Sequence, residues 1–232
     1  MSGENPELDA IRERYARRQS VDARYSRLRA EVLLQVQERQ RALCRMLRRQ
    51  GIYNLANLDI AEVGCGTGAN LLDFISLGAD PARLAGNDLL PERLDHARRV
   101  LPPAVQLYEG NAASLPFPPQ SFDIVHQSTV FSSILDDPLQ QELSTSMWRW
   151  VRTGGAVLWY DFAYDNPRNP DVRGIGLARI RQLFPDAHIT CHRVTLAPPV
   201  ARLLVRIHPT LCSMANLMPL LRTHLLCWIG KP

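Results

Sequence analysis

The sequence lacks any uninterrupted run of about eighteen apolar residues, the length that a membrane-spanning helix needs. Its longest apolar-rich stretch, residues 194–229, is broken by Arg202, Arg206, Pro209, Pro219 and Arg222. Residues 1–9 are polar and carry acids, unlike a signal or transit peptide. With 46% hydrophobic and 22% charged residues, the chain can bury a core. We therefore expect a globular cytoplasmic protein.

Cysteine is scarce and forms no sequence pairs. Five cysteines are an odd number, and no Cys-x-x-Cys motif occurs, which argues against a disulfide framework and a zinc or iron–sulfur site. We expect all five to be reduced thiols. The segment 188–192 does not indicate a metal site, because on a strand His188 and His192 share one face while Cys191 points away from it. No metal is expected.

Lysine is almost absent, since Lys231 is the only one, and arginine supplies the remaining basic charge. Residues 1–50 hold twelve arginines and seven acids, a net charge of +5, whereas the remainder carries −1. Such a segment is suited to a phosphate or an acidic ligand, but a solvated helix surface is the simpler interpretation.

Short apolar runs alternate with helical patterns after Gly51. Strands are expected at 58–63, 83–88, 105–109, 122–126, 155–162, 187–196 and 223–229, and helices at 25–49, 70–77, 92–101 and 138–152. This alternation predicts an α/β fold, an open and mostly parallel sheet between helices. Residues 1–51 are expected to form a helical cap of the same domain. Residues 198–221 are expected to be a helical insertion, with Val200, Leu203, Leu204 and Ile207 on one face.

The strongest motif is residues 61–70, where a strand is expected to turn into a helix. Gly64, Gly66 and Gly68 allow a tight turn and a close approach of backbone to a ligand, and a helix N-terminus offers free N–H groups. The spacing Gly64-x-Gly66-x-x-Ala69 also fits the looser dinucleotide fingerprint. Asp88, at the end of the next strand, is placed to accept the two hydroxyls of a ribose. The predicted ligand is a nucleoside.

Several segments together resemble class I S-adenosylmethionine-dependent methyltransferases. Glu62-x-Gly64-x-Gly66-x-Gly68 resembles their first motif, and Gly86-Asn87-Asp88 resembles the second. Residues 109–117 and 121–125 resemble the third and fourth motifs, and residues 151–155 resemble the turn into the fifth strand. The resemblance implies that residues 52–232 form a methyltransferase domain. It also implies a Rossmann-like, doubly wound sheet of seven strands, the last of them antiparallel.

The same resemblance implies a role for each matching residue. The backbone of Gly64–Gly68, including Cys65, would cradle the methionine part of S-adenosylmethionine, and Glu62 would orient this loop. Asp88 would hold the ribose, and Leu89 would pack on the adenine. Asn111, beside Ala112, stands where the family usually has aspartate, and its amide oxygen can still accept a hydrogen bond from the adenine amino group. Gln127 would face the methionine part.

Acceptor residues are less defined. Residues 131–134 lack the histidine that many relatives carry there, so Asp161, after the fifth strand, is the candidate general base; capping of the following turn is the alternative. Tyr25, Tyr164 and Arg173 are candidate acceptor contacts. Tyr15 and Tyr25 are suited to close over the cofactor, although core packing explains them equally well.

The expected activity is methylation of a small or medium-sized acceptor, preferably at oxygen. The apolar insertion favours an apolar or lipid-linked acceptor and contact with a membrane surface; a core or dimer face is the alternative. Two other functions stay open: an RNA methyltransferase steered by the arginine-rich segment, and a non-catalytic S-adenosylmethionine-binding subunit. Nucleic acid is the less favoured partner, and a monomer or homodimer is expected.

Overall fold

The chain is built around one sheet of seven strands. The computed structural model describes residues 6–18, 26–167 and 169–232. Its strands are β1 (Ile60–Val63), β2 (Leu84–Asp88), β3 (Gln106–Glu109), β4 (Phe122–Ser128), β5 (Val151–Phe162), β6 (His188–Leu196) and β7 (Arg222–Gly230). The strand order is β3-β2-β1-β4-β5-β7-β6, and β7 runs antiparallel to both of its neighbours. The predicted α/β, Rossmann-like fold with a final antiparallel strand is confirmed.

Helices cover both faces of this sheet. They are α1 (Pro6–Arg18), α2 (Ala30–Arg49), α3 (Ala69–Ser76), α4 (Pro91–Val100), α5 (Asp137–Trp150), α6 (Leu177–Leu183), α7 (Pro198–Leu204) and α8 (Pro209–Ala215). Among the described residues, no helix is long and apolar enough to cross a membrane.

Alternate residues of the central strands point into two separate apolar cores. On one face, Val157 and Trp159 of β5 pack with α1, α5 and α6. On the other face, Ala156 and Leu158 pack with α2, α3 and α4. This alternation follows from the twofold side-chain repeat of a strand. Both faces are apolar because both are covered by helices.

The chain departs from the sequence predictions at several points. Strand β5 begins at Val151, where a helix was expected to continue to residue 152, because Val151 pairs with Phe122 of β4. Helix α6 had no clear sequence pattern and was not predicted. In the insertion, α7 ends at Leu204, so the expected single helical face of Val200, Leu203, Leu204 and Ile207 does not extend to Ile207. Leu203 and Ile207 are 63% and 71% exposed.

The expectation of five reduced cysteines is also wrong for two of them. Cys191 of β6 and Cys227 of β7 stand opposite each other in the antiparallel ladder, and a disulfide joins their sulfur atoms. Residues directly opposite each other on neighbouring strands have Cβ atoms close together. The two cysteines are 36 residues apart in the sequence, so the sequence did not indicate this pairing. Cys44, Cys65 and Cys212 are free thiols, as expected.

Candidate functional site

The carboxyl ends of β1, β2 and β4 meet at one edge of the sheet, and a cavity of about 110 Å³ opens there. The strand order reverses between β1 and β4, and open α/β sheets bind ligands at such a reversal. The walls come from the glycine-rich loop after β1, the residues after β2 and β3, the turn after β4, and helices α1 and α5.

The glycine-rich loop has backbone geometry that favours glycine at all three positions. Gly64, Gly66 and Gly68 have φ angles of +65°, +57° and +86°. A Cβ atom at Gly64 would overlap the side chain of Val130, and one at Gly66 would overlap that of Arg93. The N–H of Cys65 donates to the Asn87 carbonyl at 2.7 Å, and burial raises the pKa of the Cys65 thiol. Cys65 therefore contributes to the loop through its backbone hydrogen bond to Asn87 and not through its thiol.

Glu62 lies beneath this loop and is 1% exposed. Its Oε1 accepts a hydrogen bond from Nδ2 of Asn70, in the first turn of α3, at 2.6 Å. Its Oε2 is buried without a hydrogen-bond partner among the described residues. Burial raises the pKa of Glu62 to about 8, so the carboxyl group is protonated at neutral pH. Glu62 thus connects the loop to α3, consistent with the loop-orienting role that was expected.

His126 of β4 is a structural residue. Its Nδ1 donates to the Leu158 carbonyl at 2.9 Å, and its ring meets the Phe74 ring edge to face. Burial lowers the pKa of His126 to about 4, so the imidazole is neutral. The proton on Nδ1 leaves a lone pair on Nε2, which lies 3.9 Å from Glu62 Oε1.

Asp88 lines the cavity and joins the two loops around it. Its Oδ2 accepts the N–H of Gly66 at 2.8 Å, and its Oδ1 accepts the N–H of Leu90 at 3.0 Å. The carboxylate is 4% exposed and ends at the cavity wall. Leu89 also lines the cavity, where its apolar side chain offers a surface for a flat ring.

Arg93 and Tyr15 narrow this part of the cavity. The Arg93 guanidinium lies 5.1 Å from the centre of the Tyr15 ring, and its Nη1 lies 3.7 Å from Asp88 Oδ2. Cavities that hold drug-sized ligands usually measure about 300 Å³ or more. A nucleoside ligand therefore needs a wider cavity than this one, and the Arg93 side chain is one of the groups that occupy the space beside Asp88.

Asn111 and Ala112 also line the cavity, at the turn after β3. The side-chain oxygen of Asn111 accepts the N–H of Ala113 at 3.0 Å, and its Nδ2 donates to Ser114 Oγ at 3.3 Å. The oxygen that was expected to accept from an adenine is therefore engaged in capping this turn, although a carbonyl oxygen has a second lone pair.

Gln127 does not occupy its expected place facing a ligand. It is fully buried, and it is not among the described residues that line the cavity. Its Oε1 accepts the N–H of Val130 at 3.0 Å. This bond stabilises the turn after β4, and two residues of that turn, Thr129 and Val130, line the cavity. Thr129 has a φ angle of +57°, an uncommon value for a β-branched residue. Gln127 therefore acts on the cavity wall through the turn.

Asp161 likewise lies outside the cavity lining, so the structure does not place it as a base facing an acceptor. It is fully buried, its Oδ2 accepts the N–H of Ser132 at 3.1 Å, and its Oδ1 accepts the N–H of Phe162 at 2.8 Å. Burial raises the pKa of Asp161 to about 6. The predicted alternative was a cap of the following turn. The bond from Phe162 lies on that side, whereas the bond from Ser132 holds the earlier turn 131–133, which carries Ser133 into the cavity wall.

Two of the three predicted acceptor contacts, Tyr164 and Arg173, lie among the described residues, and neither lines the cavity. Tyr164 is 47% exposed, with the Arg193 guanidinium 5.2 Å from its ring centre. Arg173 forms an ion pair with Asp137 and donates its backbone N–H to the Ser132 carbonyl. Both lie on the loop after β5. Tyr25 lies outside the described residues.

Sequence reasoning missed most of the apolar wall, which α1 and α5 supply. Leu8, Ile11, Leu139 and Leu143 line the cavity. Tyr15, proposed as an aromatic cap, lines it too. Helix α1 is held in place by Arg14, whose guanidinium donates to Glu7 Oε1 at 2.6 Å and to the Ser133 carbonyl at 3.0 Å. The apolar spacing of Leu8, Ile11 and Tyr15 was the available signal, since it repeats at three to four residues.

The sheet order and the cavity beside a glycine-rich loop and an acidic strand end define a class I methyltransferase fold, and structural comparison agrees. An S-adenosylmethionine-dependent methyltransferase of Mesorhizobium loti superposes with a TM-score of 0.57 at 16% identity, covering 80% of this chain and 96% of that one. A phosphoethanolamine N-methyltransferase of Haemonchus contortus, solved with S-adenosylmethionine, gives a TM-score of 0.59 at 16% identity, covering 82% of this chain and 52% of that one.

Sequence comparison points to the same family. Residues 60–155 match the family model described as a methyltransferase domain. A probable S-adenosylmethionine-dependent methyltransferase of Mycolicibacterium smegmatis is 31% identical over 144 residues, or 58% of this chain and 53% of the relative. A demethylmenaquinone methyltransferase of Deinococcus radiodurans is 30% identical over 106 residues, or 44% of this chain and 42% of the relative.

Residues 60–155 thus match a methyltransferase domain, and the proteins that the chain resembles in sequence and in fold include S-adenosylmethionine-dependent methyltransferases. The chain spans about half the length of the curated relatives that it matches.

Proposed function

We propose that this protein transfers a methyl group from S-adenosylmethionine to a small or medium-sized apolar acceptor, at oxygen. The observation that carries this proposal is the cavity, where Gly64 and Asp88 stand beside a wall of aliphatic side chains. One side suits a polar nucleoside and the other an apolar molecule, so the two reactants would meet between them.

The residues present fit the cofactor. The positive φ angles and the close neighbours of Gly64 and Gly66 favour glycine in this loop, and the following helix directs N–H groups toward it. Asp88 offers a carboxylate to a ribose, while Leu89 and Ala112 offer apolar contacts to a base. When bound, S-adenosylmethionine supplies an electrophilic methyl group on a sulfonium centre. The chain's own contribution is to hold donor and acceptor close and in line.

The apolar wall supports an apolar or lipid-linked acceptor. Leu8, Ile11, Ile134, Leu139 and Leu143 come from α1, the turn after β4 and α5, and they face the cavity opposite the polar loops. Burial of apolar surface contributes about 25 cal/mol per Å² to binding, so such a wall selects against strongly polar acceptors. The Deinococcus relative is named for demethylmenaquinone, but its match covers only 44% of this chain, so that acceptor is not assigned here.

Oxygen is the favoured acceptor atom because the cavity supplies no evident base. Among the described residues that line it, the titratable ones are Tyr15, Asp88 and Arg93. Asp88 already accepts two backbone N–H groups, and the Arg93 guanidinium packs on the Tyr15 ring. An acceptor oxygen that is ionised in solution, such as a carboxylate or an acidic phenol, requires no base.

The alternative of an RNA methyltransferase receives less support. Several arginines of the first fifty residues are engaged within the protein. Arg14 is paired with Glu7, Arg29 with Glu31, and Arg39 with Asp73. These three guanidinium groups are held by carboxylates of the same protein, which makes them less available to a phosphate.

The test is to incubate the purified protein with methyl-labelled S-adenosylmethionine and separate lipid and aqueous extracts of the host cell. The labelled product is then identified by mass spectrometry. We expect a labelled apolar product in which the methyl group is on oxygen. Label in RNA, or in a polar metabolite only, would contradict the proposal. Cofactor binding without turnover in either extract would favour the non-catalytic subunit.

A further inference from the structure

The helical insertion of residues 198–221 lies at the same edge of the sheet as the cavity. Strand β6 runs parallel to the central strands and ends at Leu196, and β7 returns from Arg222 in the opposite direction. Everything between these two residues therefore sits at the carboxyl edge. Four strand spacings, about 19 Å, separate β6 from β1 and its glycine-rich loop.

One part of the apolar residues anchors the insertion. Ala201 and Cys212 are buried against Leu196, and Leu34 of α2 packs beside them, together with partly buried residues of the insertion, namely Val200, Leu204, Val205, Ala215 and Leu221. Six other large apolar side chains of the insertion are more than half exposed: Leu203, Ile207, Met214, Leu217, Met218 and Leu220. Leu217 and Leu220 are 77% and 84% exposed. Contiguous apolar patches of this kind on soluble proteins usually mark an interaction site.

The insertion itself carries charge of one sign. Residues 187–232 contain no aspartate and no glutamate. Arg202 and Arg206 are exposed among the apolar residues of the insertion. Glu31 of α2 lies near enough to interact with Arg202, but its carboxylate is buried and paired with Arg29. The exposed apolar side chains thus lie on a segment whose charged residues are arginines.

We propose that residues 198–221 dock the protein on an anionic lipid bilayer. The exposed leucines, isoleucine and methionines enter the boundary between headgroups and acyl chains, and Arg202 and Arg206 contact lipid phosphates. Short amphipathic segments with basic polar residues bind membranes in this way. The docking itself does not depend on the methyl transfer. The consequence that an apolar acceptor reaches the cavity from the bilayer rests on the proposed function.

Charge favours a bilayer over a second copy of the chain. In a symmetric dimer the same patch faces itself, so Arg202 and Arg206 of one copy would approach those of the other. Like charges that meet across an interface are unfavourable, whereas anionic lipid phosphates complement them.

The experiment is flotation of the purified full chain with vesicles of phosphatidylcholine, or of equal parts phosphatidylcholine and phosphatidylglycerol, at low and high salt. Two double variants are compared, Ile207→Glu with Leu217→Glu and Arg202→Glu with Arg206→Glu. The control is Tyr53→Glu, which changes a side chain that is 79% exposed outside the insertion. All variants replace exposed side chains, so circular dichroism and thermal unfolding should match the wild type.

We expect the wild type and the control to float with anionic vesicles, less with phosphatidylcholine alone, and less at high salt. The arginine variant should lose about tenfold or more in vesicle affinity, at about 1 kcal/mol for each arginine near the surface. The apolar variant should remain in the unbound fraction.

Three results would overturn the proposal: no flotation of the wild type with anionic vesicles at low salt, equal flotation of the apolar variant, or a wild-type dimer that this variant dissociates while neither protein binds vesicles. Calorimetric titration with S-adenosylmethionine separates the two proposals. A wild type that floats but binds no cofactor keeps the docking and refutes the methyl transfer.

Discussion

The carboxylate of Asp88 accepts the N–H of Gly66 at 2.8 Å. The residue predicted to bind the ribose is therefore hydrogen-bonded to the loop predicted to bind the methionine part of the cofactor. The second oxygen of Asp88 accepts the N–H of Leu90, at the start of α4. One side chain therefore fixes the spacing between the loop after β1 and the loop after β2. A change at Asp88 acts on the shape of the cavity as well as on any contact with a ligand.

Asp88→Ala should lower the affinity for S-adenosylmethionine by about tenfold to a hundredfold, the range for losing hydrogen bonds to a charged group. It leaves the N–H groups of Gly66 and Leu90 without their acceptor, so thermal stability should fall as well. Titration calorimetry measures the affinity. Asp95→Ala, which removes an exposed carboxylate paired with Arg98, is the control. Unchanged binding by Asp88→Ala would refute the ribose assignment.

Gly64→Ala tests the glycine-rich loop, and Gly78→Ala is its matched control. Both glycines have positive φ angles, +65° and +96°. A Cβ atom at Gly78 meets nothing, so Gly78→Ala should lower the free energy of unfolding only through backbone strain, by about 1–2 kcal/mol. A Cβ atom at Gly64 overlaps Val130 at the cavity wall, so Gly64→Ala should be less stable than Gly78→Ala and should lose cofactor binding. Equal losses in the two variants, in urea unfolding and calorimetry, would contradict this.

The buried carboxyl group of Glu62 should make stability fall at alkaline pH. Burial raises its pKa from the ordinary 4.5 to about 8. Between these values the folded chain holds a proton that the unfolded chain has released, so the free energy of unfolding decreases as pH rises, by up to about 1.4 kcal/mol per pH unit. His126, with a pKa lowered from 6.5 to about 4, gives the opposite slope only below pH 6.5.

Glu62→Gln should therefore flatten the decline in stability between pH 6.5 and 8, and it should be more stable than the wild type above pH 8. Urea unfolding at a series of pH values measures this. Glu109→Gln, at an exposed position of β3, should keep the wild-type slope. Parallel curves for the wild type and Glu62→Gln would show that Glu62 is ionised in the folded chain.

Asp161→Asn distinguishes a general base from a positioning residue. The asparagine keeps one oxygen acceptor but places an NH₂ group against the N–H of Ser132 or Phe162, so stability should decrease. Turnover should fall only modestly, and the shape of its pH profile should not change. A turnover about a hundredfold lower or more, together with the disappearance of the rise in turnover near pH 6 from the pH profile, would instead identify Asp161 as a base.

The fold could be predicted because the sequence features that indicate it involve residues close together in the chain. Residues 61–70 place glycines where a strand turns into a helix, and Asp88 ends the next apolar run. These features depend on neighbours in the chain, so both the sheet and the cofactor loop were predicted. Asp161 also stands at the expected strand end, but the direction of its side chain depends on Ser132, which lies 29 residues earlier.

The sequence alone determined the α/β class and the positions of Gly64 and Asp88, because periodicity and turn chemistry act over a few residues. The antiparallel last strand was expected only from the resemblance to a family, and the structure confirms it. Tertiary structure decided what forms the opposite wall of the cavity, which cysteines meet, and which apolar residues of the insertion face solvent. These outcomes depend on packing between elements that are distant in the chain, such as α1 against the turn after β4. Local sequence patterns do not show which distant elements will pack together.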